Sequence, residues 1–167
     1  MTIKSYPEYG QLNTFPLGFE GLQNGQAYFW AAIDNDLESS RFEDIQFQAS
    51  IRSNETSAVS SGGVNVFLAT SLDNVHWQGT YSGAEGIVTM SSAPNSHYLD
   101  TINVIAAATQ YSSSVMSVLF GRNTSVGVVL PRYVAIGVLN SSGYALDVNA
   151  GNFWFGWQGV RRIQKMF

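Results

Sequence analysis

The sequence predicts an all-β fold, two sheets packed as a sandwich, and three observations carry that prediction. Apolar and polar residues alternate with period two over several short stretches, the signature of half-buried strands. Turn-forming clusters of Gly, Ser, Asn and Pro separate those stretches at intervals of about 8–14 residues. No segment carries an amphipathic pattern three helical turns long, and no repeat recurs at a fixed period, which favours a sandwich over a propeller.

Residues 1–26 read as an extended arm. They hold Pro7, Pro16, Gly10, Gly18, Gly21 and Gly25 with isolated aromatics and no period of 2 or 3.6. Residues 27–158 form the predicted sandwich. Residues 34–44 offer the one helical possibility, a short turn begun by acids and Ser. Over 42–51, Ile45, Phe47, Ala49 and Ile51 share one face while Gln46, Gln48 and Ser50 take the other. A polar loop over 55–63 ends in Gly62 and Gly63, and Val64, Val66 and Leu68 then resume the alternation. Residues 71–74 suit a turn before a strand-like 75–77, and 87–90 is a short strand between turns. The nearly continuous apolar run 99–108 suits a core strand, and 115–120 and 125–130 suit two more. Pro131 stands where a strand begins, ahead of 133–139. Strands over 144–148 and 153–157 close the body. In the last, Phe153, Phe155 and Trp157 share a face and Trp154 takes the opposite one. Residues 159–167 are a short tail holding three of the eight basic residues.

Composition bounds function. A chain of 167 residues suits one domain. Charged residues are 12%, about half the usual share, and Ser, Gly and Asn (20, 16 and 12 residues) fill their place. Aromatics at 13% exclude a disordered chain. The net charge of −4 lacks the basic footprint of a direct nucleic-acid partner, and no apolar run is long enough for a membrane helix. The absence of cysteine excludes disulfides, thiolate zinc and cysteine nucleophiles. Nothing at the N-terminus reads as a signal peptide, so the glycosylation-type triplets at Asn54, Asn123 and Asn140 are expected to be unused.

No catalytic, metal or cofactor residues are assigned. Asp34, Asp36 and Glu38 alternate like the start of a calcium loop, but Ser39 and Ile45 stand where that loop needs Gly and Glu. His76 and His97 lack any metal-ligand spacing, and no Gly-x-Ser-x-Gly elbow or phosphate-binding loop occurs. Protein contact is the stronger expectation. Tyr6, Tyr9, Phe15 and Phe19 are expected to dock the arm on a neighbouring subunit, with Trp154 at a subunit contact. Arg161, Arg162 and Lys165 are expected to meet acidic groups on a partner.

Two phrases resemble a known family. Residues 66–77 form a strand ending in Thr-Ser-x-Asp-x-Val-x-Trp, and residues 130–134 read Leu-Pro-Arg-Tyr-Val ahead of a strand and a Ser-Gly turn. In this order they resemble the small jelly-roll capsid cement (decoration) proteins of tailed bacteriophages, over about residues 64–148. The resemblance implies a jelly-roll-like β-sandwich; the extended N-terminal arm and the short basic C-terminal tail lie outside the match. It further implies a non-enzymatic virion structural protein, a homotrimer on the outer capsid surface that bridges and stabilises major capsid protein subunits. Similar phrases recur in sandwiches of phage necks, tails and fibres, and four Trp and eight Tyr suit sugar stacking. A carbohydrate- or receptor-binding module is therefore the alternative, and a small glycan hydrolase a weaker third.

Overall fold

The computed structural model describes residues 3–36, 42–52, 62–89, 97–103, 110–112, 116–118 and 130–166. Their strands are β1 (Ile3–Tyr9), β2 (Asn13–Thr14), β3 (Gln26–Phe29), β4 (Ile33–Asp34), β5 (Asp44–Arg52), β6 (Gly63–Ser71), β7 (Gly86–Thr89), β8 (His97–Asn103), β9 (Gln110–Ser112), β10 (Met116–Val118), β11 (Tyr133–Asn140) and β12 (Trp154–Met166). The one helical element among the described residues is a 3-10 turn, Ala150–Asn152, and no helix there is long and apolar enough to cross a membrane.

Two antiparallel sheets pack as a sandwich. The first runs β1-β12-β5-β10, with β2 also on β12 and β9 also on β5. The second runs β7-β3-β11-β6-β8, with β4 also on β11. The pairing is nested. The first strands meet the last (β1 and β2 with β12), β3 and β4 meet β11, β5 meets β9 and β10, and β6 meets β8. These pairs fall alternately in the two sheets, and β12–β5 and β11–β6 join them within each sheet. A long antiparallel hairpin wrapped into two sheets in this way is a jelly roll.

Alternation places the core as the sequence predicts. Ile45, Phe47, Ala49 and Ile51 of β5 are buried inward, while Gln48 is exposed and Gln46 half-buried. Phe153 and Phe155 enter the same core, and Trp157 packs against it. Strands β6 and β11 are buried on both faces. Val66, Leu68 and Ile136 point into the sandwich, while Phe67, Ala69 and Ala135 join a second cluster on the outer side. There Tyr81 packs against Phe29 at 5.3 Å and edge-on against Trp77 at 4.6 Å between ring centroids.

Two expectations change. Residues 75–77 are not a strand, because the Asp73 carboxylate accepts the backbone N–H of Val75 and of His76, each at 2.9 Å, and curls the chain with Asn74 at φ 63°. Residues 144–148 form no strand: the chain bends at 144 and 148, and Leu146 makes a single bridge. Leu146 donates its N–H to the Leu22 carbonyl at 3.0 Å instead of extending a ladder. Of the short turn expected over 34–44, residues 37–41 lie outside the described residues; Asp34 ends β4 and Asp44 begins β5. Leu130 alone of 125–130 is described, and it is buried; 104–108 of the expected core run, and the glycosylation-type triplets at Asn54 and Asn123, lie outside the described residues.

The arm is not a separate appendage. Phe15 stacks on Trp30 at 4.5 Å, and Phe19 meets Trp30 and Phe153 edge-on at 5.5 and 5.2 Å. Leu22 is fully buried beside them, and the Trp30 indole Nε1–H donates to the Pro16 carbonyl at 2.8 Å. Phe15 and Phe19, expected on a neighbouring subunit, therefore belong to the chain's own core. Each buried Phe contributes about 1.5–3 kcal/mol of transfer free energy. The buried Asn140 side chain clasps this segment. Its Nδ2 donates to the carbonyls of Leu22 (2.8 Å) and Tyr144 (2.6 Å), and its Oδ1 accepts from Ser142 N–H and Oγ–H at 3.0 and 2.7 Å. Asn140, one of the glycosylation-type residues, thus has its amide sealed inside.

Candidate interaction site: the terminal ribbon

The basic tail is a strand. From Trp154 to Val160, β12 pairs with β5; from Val160 to Met166 it pairs with β1. Among the described residues no other strand flanks 3–8 or 161–166. The two chain ends thus leave the sandwich as a two-stranded ribbon, about 20 Å long at ~3.3 Å per residue. Gly159 sits at its root, where the Phe42 ring fills the place a side chain would take. Proline is tolerated on an edge strand because no ladder partner needs its missing N–H. Pro7 occupies that position in β1.

Opposite residues of a ladder share a face, so the ribbon has two distinct sides. One carries Tyr6 with Ile163, Glu8 with Arg161 and Lys4 with Lys165. The other carries Ile3 with Met166 and Tyr9 with Val160. Exposure is high: Ile3 63%, Tyr6 39%, Tyr9 52% and Met166 67%. A two-stranded ribbon in water is marginally stable alone and leaves such apolar groups wet.

The expected contact residues separate on this frame. Tyr6, Tyr9 and Lys165 lie exposed on the ribbon. Arg161 does not wait for a partner's acid: its guanidinium pairs with Glu8, directly opposite on β1. The Arg162 side chain lies outside the described residues. Trp154 is half-buried on the outward face of the first sheet, away from the ribbon. Ile3 and Lys4, which the sequence reading passed over, complete the tip with Met166. Their signal was weak, since a functional edge here depends on pairing between residue 3 and residue 166.

Elsewhere among the described residues, polar clusters hold turns and loops together. Ser71, Asp73 and His76 lie together, but Ser71 Oγ–H donates to Asp73 Oδ1 at 3.1 Å and His76 Nδ1 meets Asp73 Oδ2 at 2.7 Å. A hydrolytic triad needs the imidazole between serine and carboxylate; here the carboxylate lies between. The backbone N–H and imidazole of His76 hold the Asp73 carboxyl well below the usual range. In the acidic window Arg132 bridges Asp34 at 3.3 Å and Asp36 at 2.8 Å, and it lowers the Asp34 carboxyl. Among the described residues no group of three His, Cys, Asp or Glu comes together as a metal site needs. His97's side chain lies outside those residues. The Tyr28 hydroxyl donates to Glu85 at 2.5 Å, and burial followed by that carboxylate pushes its pKa up.

No protein-family model matches the chain, and no curated protein sequence matches it.

Proposed function

We propose that this chain is a non-enzymatic virion structural protein, a cement protein that bridges and stabilises major capsid protein subunits on the outer capsid surface. The observation that carries the reading is the terminal ribbon. A self-contained jelly roll projects an exposed strand pair bearing Ile3, Tyr6, Tyr9 and Met166, with Lys4 and Lys165 at its tip. Such a ribbon gains stability when a second surface covers it. A ligand that binds only the assembled shell stabilises that shell by mass action. Arranged as a trimer around a symmetry axis, three copies would add their modest contacts through avidity.

The test is occupancy on cement-free shells, read by sedimentation of the full-length chain and of a form lacking residues 1–9. Saturable binding that drops at least tenfold on removing residues 1–9 is expected. Lys165→Ser should weaken binding at low salt and lose its effect at high salt, because exposed charges are screened within about 10 Å at 0.1 M. Equal occupancy by both forms at both salts overturns the ribbon's role, and no binding by either form overturns the cement reading.

A further inference from the structure

We propose that the outward face of the first sheet, centred on Trp154, is a binding site for a neutral carbohydrate chain. The face follows from register. Trp154 stands opposite Ser50, Gly156 opposite Gln48 and Gln158 opposite Gln46, and Thr14 of β2 lies opposite Gly156 on the other side. Ile45, Phe47, Ala49 and Phe155 point the other way into the core, so these six side chains and Gly156 share the outer surface.

The indole is a fixed platform. It lies across Gly156, where an added Cβ would come 2.7 Å from Cζ2 and Cη2. Any larger residue at 156 would lift the ring. One indole face therefore rests on the strand, and the half-buried residue presents the other outward. Around it stand exposed Gln48 and Thr14, half-buried Gln46 and Gln158, and buried Ser50. Gln158 Nε2–H donates to Gln46 Oε1 at 3.1 Å, which orients both amides. Each primary amide keeps further donor and acceptor capacity beyond that bond.

This chemistry selects its ligand. A pyranose ring has an apolar C–H face that suits an indole, and a rim of hydroxyls that both donate and accept, as amides and hydroxyls do. Thr14, Gln46, Gln48, Ser50, Trp154 and Gln158 include no ionisable group, and Arg52, next along that face of β5, is paired with Asp147 at 3.4 Å, so the strip does not favour a charged ligand. A protein partner fits less well. The centre of a protein interface is about 65% apolar, whereas this strip sets one aromatic among five polar side chains. From residue 154 to 158 it runs about 13 Å, long enough for a short oligosaccharide. The site lies apart from the ribbon tip, so it goes beyond shell attachment and is tested without shells.

The experiment is affinity electrophoresis of the full-length chain in native gels containing dextran, hydroxyethyl cellulose, galactomannan or xylan, with polygalacturonate as the charged control. Retardation in at least one neutral gel is expected, stronger than in polygalacturonate. Trp154→Ala should weaken it about tenfold or more, Gln48→Ala about threefold, and Trp154→Tyr little. Near-UV circular dichroism checks folding; if Trp154→Ala is misfolded, the exposed Gln48→Ala decides. No retardation in any neutral gel overturns the proposal, as does retardation that the deciding variant leaves intact. Sedimentation velocity that shows Trp154→Ala dissociating an oligomer, without any polysaccharide effect, assigns the face to a protein contact and also overturns it.

Discussion

Two stretches near the N-terminus look alike in the sequence and end in opposite places. Residues 3–9 carry Tyr6 and Tyr9, which are 39% and 52% exposed; residues 15–22 carry Phe15 and Phe19, which are 9% and 0% exposed. Both lie beside β12, but at different points along it. The first meets β12 after that strand has left β5, where among the described residues neither face has a core to cover. The second crosses the end of the sandwich, where Trp30, Phe153 and Phe155 leave a space that two rings fill. The residue types agree with the outcome, since Tyr keeps a polar tip for water and Phe does not. One segment of chain thus supplies a piece of the core and a piece of the exterior, and the boundary lies near Gly10, whose N–H bonds the Gly159 carbonyl at 2.8 Å.

That contrast breaks most sharply at Phe19. Phe19→Ala should cost about 3–5 kcal/mol, a large part of the ~5–15 kcal/mol that holds a typical domain folded. Removing residues 1–22 should abolish cooperative urea unfolding followed by Trp fluorescence. A truncated chain that still unfolds cooperatively would show that the sandwich closes without the arm.

Asn140 tests how the inner segment is held. Asn140→Ala takes the amide from the Leu22 and Tyr144 carbonyls, which keep only Leu146 N–H and Ser142 Oγ–H, and takes the acceptor from the Ser142 N–H; it should cost about 1–3 kcal/mol. A urea midpoint equal to that of the parent chain would place the clasp among the dispensable contacts.

The outer segment should behave in the contrary way. A chain lacking residues 1–9 is expected to keep its near-UV spectrum and to lose no more than about 1 kcal/mol, since a lone two-stranded ribbon is marginal in water. Amide exchange should speed up along 161–166 and stay slow in β5. Protection lost in β5 as well would mean that the ribbon braces the sandwich.

The smallest effect concerns acid. The Asp147 backbone receives the inner segment, since Gly21 N–H donates to its carbonyl at 2.9 Å. Its carboxyl is held below the usual value, first by the Asn149 N–H and also by Asn152 and Arg52. A lowered folded pKa stabilises above the unfolded value of about 3.9, and that stability disappears as pH falls through the lower folded value. Melting temperature should therefore be insensitive to this group between about pH 5 and 7 and fall below about pH 4. Asp147→Asn should flatten the acid limb; an unchanged acid slope would exclude the group as a contributor.

The sequence by itself determined the strand faces of the body. Ile45, Phe47, Ala49 and Ile51 against Gln46 and Gln48, and Phe155 against Trp154, follow from period two, because neighbours on one strand must point to opposite sides. It also marked the turns near 71–74, 140–143 and 149–152, since Gly, Asn and Ser clusters carry their conformations locally. Its reading of 75–77 as a strand failed because three hydrogen bonds to Asp73 outweighed the propensity of Val75 and Trp77. The tertiary structure alone decided that Phe15 and Phe19 go inside and that the basic tail is a strand. It also laid the Trp154 ring along Gly156 among three glutamines. These arrangements join residues far apart in the chain: 3 with 166, 22 with 140, 48 with 156. A local pattern records which way a side chain points, but which distant strand covers it is settled only when the nested hairpin closes and its ends find the last strand.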